Sequence, residues 1–142
     1  MSKADAVKLN VKTIDHVTIV VKDLEKSRAF YEDILGMQPV TRPGFGFPGL
    51  WFEAGLRQIH LVLESSEAGP AGLPAFRGTH PSRGLHFAFE VQSCDQAAEL
   101  LNALGVPIVD GPKSRPDGAR QLYVHDPDGH LVEITSIDRE SS

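Results

Sequence analysis

Three of the six histidines in this chain of 142 residues stand in or beside β-branched runs, where alternation decides which way each imidazole points. In Ile14-Asp-His-Val-Thr-Ile-Val-Val the apolar stripe falls on Val17, Ile19 and Val21, so His16 faces the other side. The same parity sets His60 against Ile59, Leu61 and Leu63, His86 against Phe87 and Phe89, and Glu133 against Val132 and Ile134. Imidazoles with a carboxylate suit one divalent ion of Fe, Mn, Co, Ni or Zn, and suit Ca poorly. An octahedral shell holding His16, His60, His86 and Glu133 keeps two open positions, which favours a substrate that chelates through adjacent oxygens.

Other residue types extend that chemistry. Glu90 shares the parity of His86 and is a candidate general base, with Glu133 the other candidate catalytic carboxylate. Phe45, Phe47 and Trp51 flank a glycine-rich stretch, Gly44 to Gly49, that has the composition of a lid over a substrate. Lys113, Arg115 and Arg120 cluster before the strand of Tyr123, where they are candidates to hold a substrate anion with Tyr123 beside them. His125 and His130 flank Asp126-Pro-Asp-Gly and are expected at the surface. His80 and Cys94 give no signal.

These residues need a scaffold, and the pattern supplies one twice. After the strand of His16, Asp23 can cap a helix carrying Leu24, Phe30, Tyr31, Ile34 and Leu35 that stops at Gly36. Leu50 to Glu53 and Gln58 to Glu64 read as strands. A stretch of glycine, proline and serine from Ser65 to Gly84 interrupts the periodicity, after which the strand of His86 begins the order again. Ser93 with Gln96 has the spacing of a capping box, Ala97, Ala98, Leu101 and Leu104 share a helix face, and Gly105 ends it as Gly36 ends the first. Strands are expected around Pro107 to Val109, Gln121 to Val124 and Leu131 to Ile137. The repeat pairs His16 with His86 and His60 with Glu133. One α+β domain over residues 14–137 is expected, with modules at about 14–64 and 84–137, a linker at 65–83, and tails at 1–13 and 138–142.

Composition narrows the partners. The formal charge of −5 provides no general attraction to nucleic acid or anionic lipid. No apolar run approaches the roughly 20 residues of a membrane helix. The single cysteine cannot form an internal disulfide, and the first thirty residues lack a secretory pattern. A cytoplasmic protein with a small-molecule substrate is expected.

The segments Ile14-Asp-His-Val-Thr-Ile-Val-Val-Lys-Asp-Leu, Phe30-Tyr-Glu-Asp-Ile-Leu-Gly-Met, Gly84-Leu-His-Phe-Ala-Phe-Glu-Val and Tyr123-Val-His-Asp-Pro-Asp-Gly-His-Leu-Val-Glu resemble the glyoxalase/bleomycin resistance/extradiol dioxygenase superfamily, also called vicinal oxygen chelate. The resemblance implies two βαβββ modules forming a curved mixed sheet around a metal cup, in a homodimer with the site near the interface. It puts the metal positions on His16, His86 and Glu133, with His60 at a variable fourth. Bacterial glyoxalase I carries glutamate where His60 stands, and extradiol dioxygenases place a histidine before the tyrosine, where Lys113 to Gln121 has none. Fosfomycin-modifying relatives use a His, His, Glu set without the extra His60, and bleomycin-binding relatives lack the ligands. The expectation is therefore a metal-dependent enzyme of lyase or isomerase, thiol transferase or dioxygenase type, acting by Lewis-acid catalysis. The alternative is a non-catalytic small-molecule or antibiotic-binding protein of the bleomycin-resistance type.

Overall fold

The computed structural model describes residues 7–72 and 79–137. The order β, α, β, β, β occurs twice. In the first half β1 (His16–Val21) is followed by α1 (Leu24–Arg28), β2 (Gln38–Val40), β3 (Gly49–Ala54) and β4 (Arg57–Leu63). The second half contains β5 (Phe87–Glu90), α2 (Cys94–Ala103), β6 (Asp110–Ser114), β7 (Ala119–His125) and β8 (Leu131–Ile137). The strands form two four-stranded mixed sheets of the same topology, β1-β4-β3-β2 and β5-β8-β7-β6. In each, the strand before the helix pairs in parallel with the last strand of its half.

Local chemistry accounts for the helix ends. Asp23 and Ser93 have extended backbones, and their side chains accept from Lys26 N (3.0 Å) and Gln96 N (3.2 Å). Each satisfies a donor that the first helical turn leaves unpaired. Gly36 and Gly105 follow at φ +76° and +75°, a left-handed conformation that a side chain disfavours.

Two elements differ from the sequence expectation. The helix from Leu24 widens after Arg28 into π-type turns over Ala29–Ile34, closed by Leu35 N donating to Phe30 O at 2.9 Å. Adjacent Phe30 and Tyr31 are both buried there. The strand expected around Pro107 to Val109 lies later, at Asp110–Ser114, because its ladder to β7 begins where Asp110 faces Tyr123.

The expected alternation holds. Ile19, Val21, Ile59, Leu61 and Phe52 of the first sheet join Leu122, Val124, Val132 and Ile134 of the second in one core with Tyr31, Ala98 and Leu101. A polar clasp, buried at Tyr31, Asp126 and His130, joins the halves. Tyr31 OH donates to Asp126 Oδ2 at 2.7 Å, His130 Nδ1 meets the same oxygen at 2.8 Å, and Lys22 N donates to Asp128 Oδ1 at 3.1 Å. His130 is therefore buried at 1 % exposure, not at the surface as expected, whereas His125 is exposed.

Candidate metal centre and cleft

Register puts the polar residues in rows on the face opposite the core. In the first sheet Trp51, His60 and Thr18 are cross-strand neighbours, and Glu53, Gln58 and His16 form the next row. In the second, Ala88, Glu133, Tyr123 and Asp110 share a row, and Glu90, Thr135, Gln121 and Lys113 share the next.

The four candidate ligands come together as two pairs. The His16 and His60 rings stack with centroids 4.0 Å apart. His86 Nε2 lies 3.1 Å from Glu133 Oε1. Among the described residues, no three of the four bring their ligand atoms within 4.8 Å of one another. The pairs belong to different sheets, and β1 and β5 are edge strands that share no ladder. Between those edges lies a cleft of about 1160 Å³ lined by His16 and His86, with Val17, Ile59, Phe87 and Glu90.

The His86–Glu133 pair has the chemistry of a metal anchor. Gly84 O can only accept, so its 2.7 Å contact makes His86 Nδ1 the donor. In the neutral ring this leaves the Nε2 lone pair directed at a carboxylate oxygen, an arrangement that needs a cation between them or a second ring proton. Nε2 and Oε1 are near enough that both would hold the same ion if one were bound. Glu133 is 5 % exposed, and Tyr123 OH donates to its Oε1 at 3.1 Å. Burial, followed by the negative charge of Glu133, pushes the Tyr123 hydroxyl up to about 12, so it is a standing donor at neutral pH.

His16 is oriented in the same manner. Its Nδ1 meets Asp15 Oδ2 at 2.8 Å, which holds the Asp15 carboxyl below its ordinary value and leaves His16 Nε2 available to a ligand. His60 differs. Its Nε2 meets Gln58 Oε1 at 2.8 Å, and its ring is sandwiched between His16 and Trp51, the latter 3.9 Å away and nearly parallel at 3°. Burial lowers the His60 pKa, and the neighbouring His16 lowers it further, so the neutral ring is favoured.

The remaining candidates divide. Glu90 is exposed on β5 and lines the cleft. Phe45, Phe47 and Trp51 pack together, with Phe45 5.3 Å from Phe47 and 5.9 Å from Trp51. Arg115 Nη1 reaches Glu133 Oε2 at 3.5 Å, while its other nitrogens hold Asp117. Lys113 is bound to Asp110 at 2.6 Å. Arg120 does not join them: it pairs with Ser136 rather than with the Glu133 row, and its guanidinium grips Asp95 at the start of α2. The expected cluster of three cations is thus split by strand parity. Asp15, Gln58 and the Gly84 carbonyl were missed as orienting groups: Asp15 and Gly84 precede their strands, and Gln58 shares the parity of His60 but has no metal-ligand chemistry to draw notice.

A second set of donors, Asp126, Asp128 and His130, lies within 4.8 Å of one another. Its oxygens are already engaged by Tyr31, His130 Nδ1, Ser27 Oγ and the N–H groups of Lys22, Asp128 and His130. It is the clasp between halves.

Among the described residues no helix is long and apolar enough to cross a membrane. The chain is 28 % identical to glyoxylase I 4 of Arabidopsis thaliana over 132 residues, covering 92 % of this chain and 74 % of that protein. It is 30 % identical to the metallothiol transferase FosB of Lysinibacillus sphaericus over 130 residues, covering 89 % and 83 %. A crystal structure of a glyoxalase-family protein from Bacillus anthracis superposes with a TM-score of 0.72 at 28 % identity, covering 92 % of this chain and 98 % of that one. The sequence pattern of one family spans residues 13–134, and the chain belongs to it: the Glyoxalase/Bleomycin resistance protein/Dioxygenase superfamily.

Proposed function

We propose that this protein is a metal-dependent enzyme acting on a small substrate that chelates one divalent ion through adjacent oxygens. The observation that carries this reading is the half-buried His86 Nε2 to Glu133 Oε1 contact at 3.1 Å, with His86 Nδ1 already committed to a carbonyl. His86 and Glu133 form the anchor, His16 completes a two-histidine, one-carboxylate set, and His60 is a weaker fourth ligand or a stacking wall. When bound, the ion supplies Lewis acidity toward the substrate oxygens.

The chain's own groups have separate tasks. Tyr123 and Arg115 fix the Glu133 carboxylate. Glu90, exposed on the cleft, is placed to take a proton from a substrate held there. Joining His16 to the anchor requires the His16 end of β1 to meet the His86 end of β5, within one chain or across a homodimer, and we favour the homodimer. The names of the relatives, among them a glyoxylase and a metallothiol transferase, support metal chemistry on small molecules rather than passive sequestration. The cytoplasm is the proposed compartment.

The test is metal analysis of protein purified without chelators, then turnover after loading with Zn, Ni, Mn, Fe or Co. Candidate substrates are 2-oxoaldehyde–thiol adducts, catechols and fosfomycin. Metal-dependent turnover of one of them is expected, and protein that neither carries nor takes up metal contradicts the reading.

A further inference from the structure

Arg42 stands in the connection between β2 and β3, and what sets it apart among the described arginines is a buried nitrogen without an acceptor. Arg28, Arg115 and Arg120 are each held by carboxylates. Among the described residues, Arg42 has no carboxylate partner, and its Nε is shut away from solvent with no hydrogen-bond acceptor. Nε is enclosed, whereas the terminal nitrogens are not shut away and have no acceptor among the described residues, so those are the donors a ligand can reach. Its guanidinium carbon lies 4.8 Å from the ring centres of both Phe45 and Phe47, which are themselves 5.3 Å apart, so its charge rests against both rings from one side.

The position of this group is set by the sheet. Gly49 is the register partner of Val62, two residues from His60 on the face that carries His60 and Trp51. A Cβ on Gly49 would come within 3.0 Å of Arg42 Nε and Nη2, and within 2.5 Å of Leu61 O. The missing side chain is what lets the guanidinium lie across that face. From there the rings run without interruption: Phe45 to Trp51 at 5.9 Å, Trp51 to His60 at 3.9 Å, His60 to His16 at 4.0 Å. Adjacent rows on one face are about 7 Å apart along the strand.

We propose that Arg42, with Phe45, Phe47 and Trp51, is an anion-binding subsite that takes the carboxylate or phosphate of a substrate with a planar unsaturated skeleton. The two terminal nitrogens of the planar guanidinium offer paired donors to two oxygens of the anion, and the rings stack on the skeleton. This deepens the proposed function by naming a property of its substrate, while the subsite itself needs no metal. Phe45 and Phe47, 46 % and 47 % exposed, leave it open to solvent.

Trp51 is the only tryptophan in the chain, so its fluorescence reports on the subsite directly. Benzoate, phenyl phosphate and neutral benzamide are titrated into the protein as purified and again after chelator treatment. Saturable change is expected with one or both anions in both preparations, with benzamide weaker by about tenfold or more. R42Q should weaken the anions by about tenfold, the scale of one lost charged hydrogen-bonding group, and leave benzamide unchanged. Should R42Q fail to fold by circular dichroism, R42K decides, since it keeps the charge but loses the planar fork and should weaken the anions several-fold. The benzoate arm separates a carboxylate ligand from a phosphate ligand. The proposal is overturned if neither anion saturates, if benzamide binds as well as the anions, or if the folded variant titrates like the wild type. Anion binding that persists in a protein unable to take up metal sinks the proposed function and leaves this subsite standing.

Discussion

Replacing Tyr31 by phenylalanine removes one oxygen from the clasp between the halves, and its cost follows from what remains. Tyr31 is fully buried, and its hydroxyl donates to Asp126 Oδ2 at 2.7 Å. Asp126 keeps His130 Nδ1 on the same oxygen and the N–H groups of Asp128 and His130 on the other, so the carboxylate is weakened but not orphaned. A hydrogen bond to a charged acceptor contributes about 1.5–3 kcal/mol, and the surviving donors place the loss near 2 kcal/mol. For a chain of this size that lowers the melting temperature by about 6–8 °C. Burial, and then the charge on Asp126, raises the Tyr31 pKa above its ordinary 10.0. A group whose pKa is raised in the folded state contributes fully below its unfolded value and progressively less above it. The difference between wild type and Y31F should therefore be constant to about pH 10 and shrink beyond it. Urea and thermal unfolding of both proteins at pH 7, 9 and 10.5 give the comparison. A loss under about 0.5 kcal/mol at pH 7, or a difference that grows with alkali, refutes the clasp as the link between halves.

Two further outcomes are expected. Ser93→Ala removes the acceptor for Gln96 N at the start of α2 and should destabilise the protein by about 1 kcal/mol in urea titration, with metal content unchanged. Mixing H16A with H86A protomers should restore metal to about half the sites of the mixed dimer if each site is shared between subunits; unrestored metal in verified mixed dimers places each site within one chain.

Much of the scaffold was legible because alternation in β1, β4 and β8 is regular: Val17, Ile59 and Val132 fix the core side, and His16, His60 and Glu133 follow on the other. Arg120 shows the same rule neglected. It stands one residue out of phase with Gln121 and Tyr123, and grouping it with Lys113 and Arg115 before that strand hid that it faces α2. The clasp was not legible. Tyr31 and Asp126 are 95 residues apart, and His130 was assigned to the surface because a hairpin tip is normally solvated, whereas this tip is tucked against α1. Arg42 lies outside any periodic segment, and only the vacancy at Gly49 reveals its place. How the two ligand pairs approach each other depends on the edges of separate sheets, which no local pattern encodes.

The central claim is that His86 and Glu133 anchor a metal ion that His16 completes and His60 merely supports. Metal content per protomer, by mass spectrometry on wild type, H16A, H86A, E133A and H60A after circular dichroism confirms folding, tests it most directly. About one ion is expected in the wild type, little in H16A, H86A or E133A, and retention in H60A with affinity lowered about 10- to 100-fold. Full metal in E133A together with its loss in H60A would contradict the account.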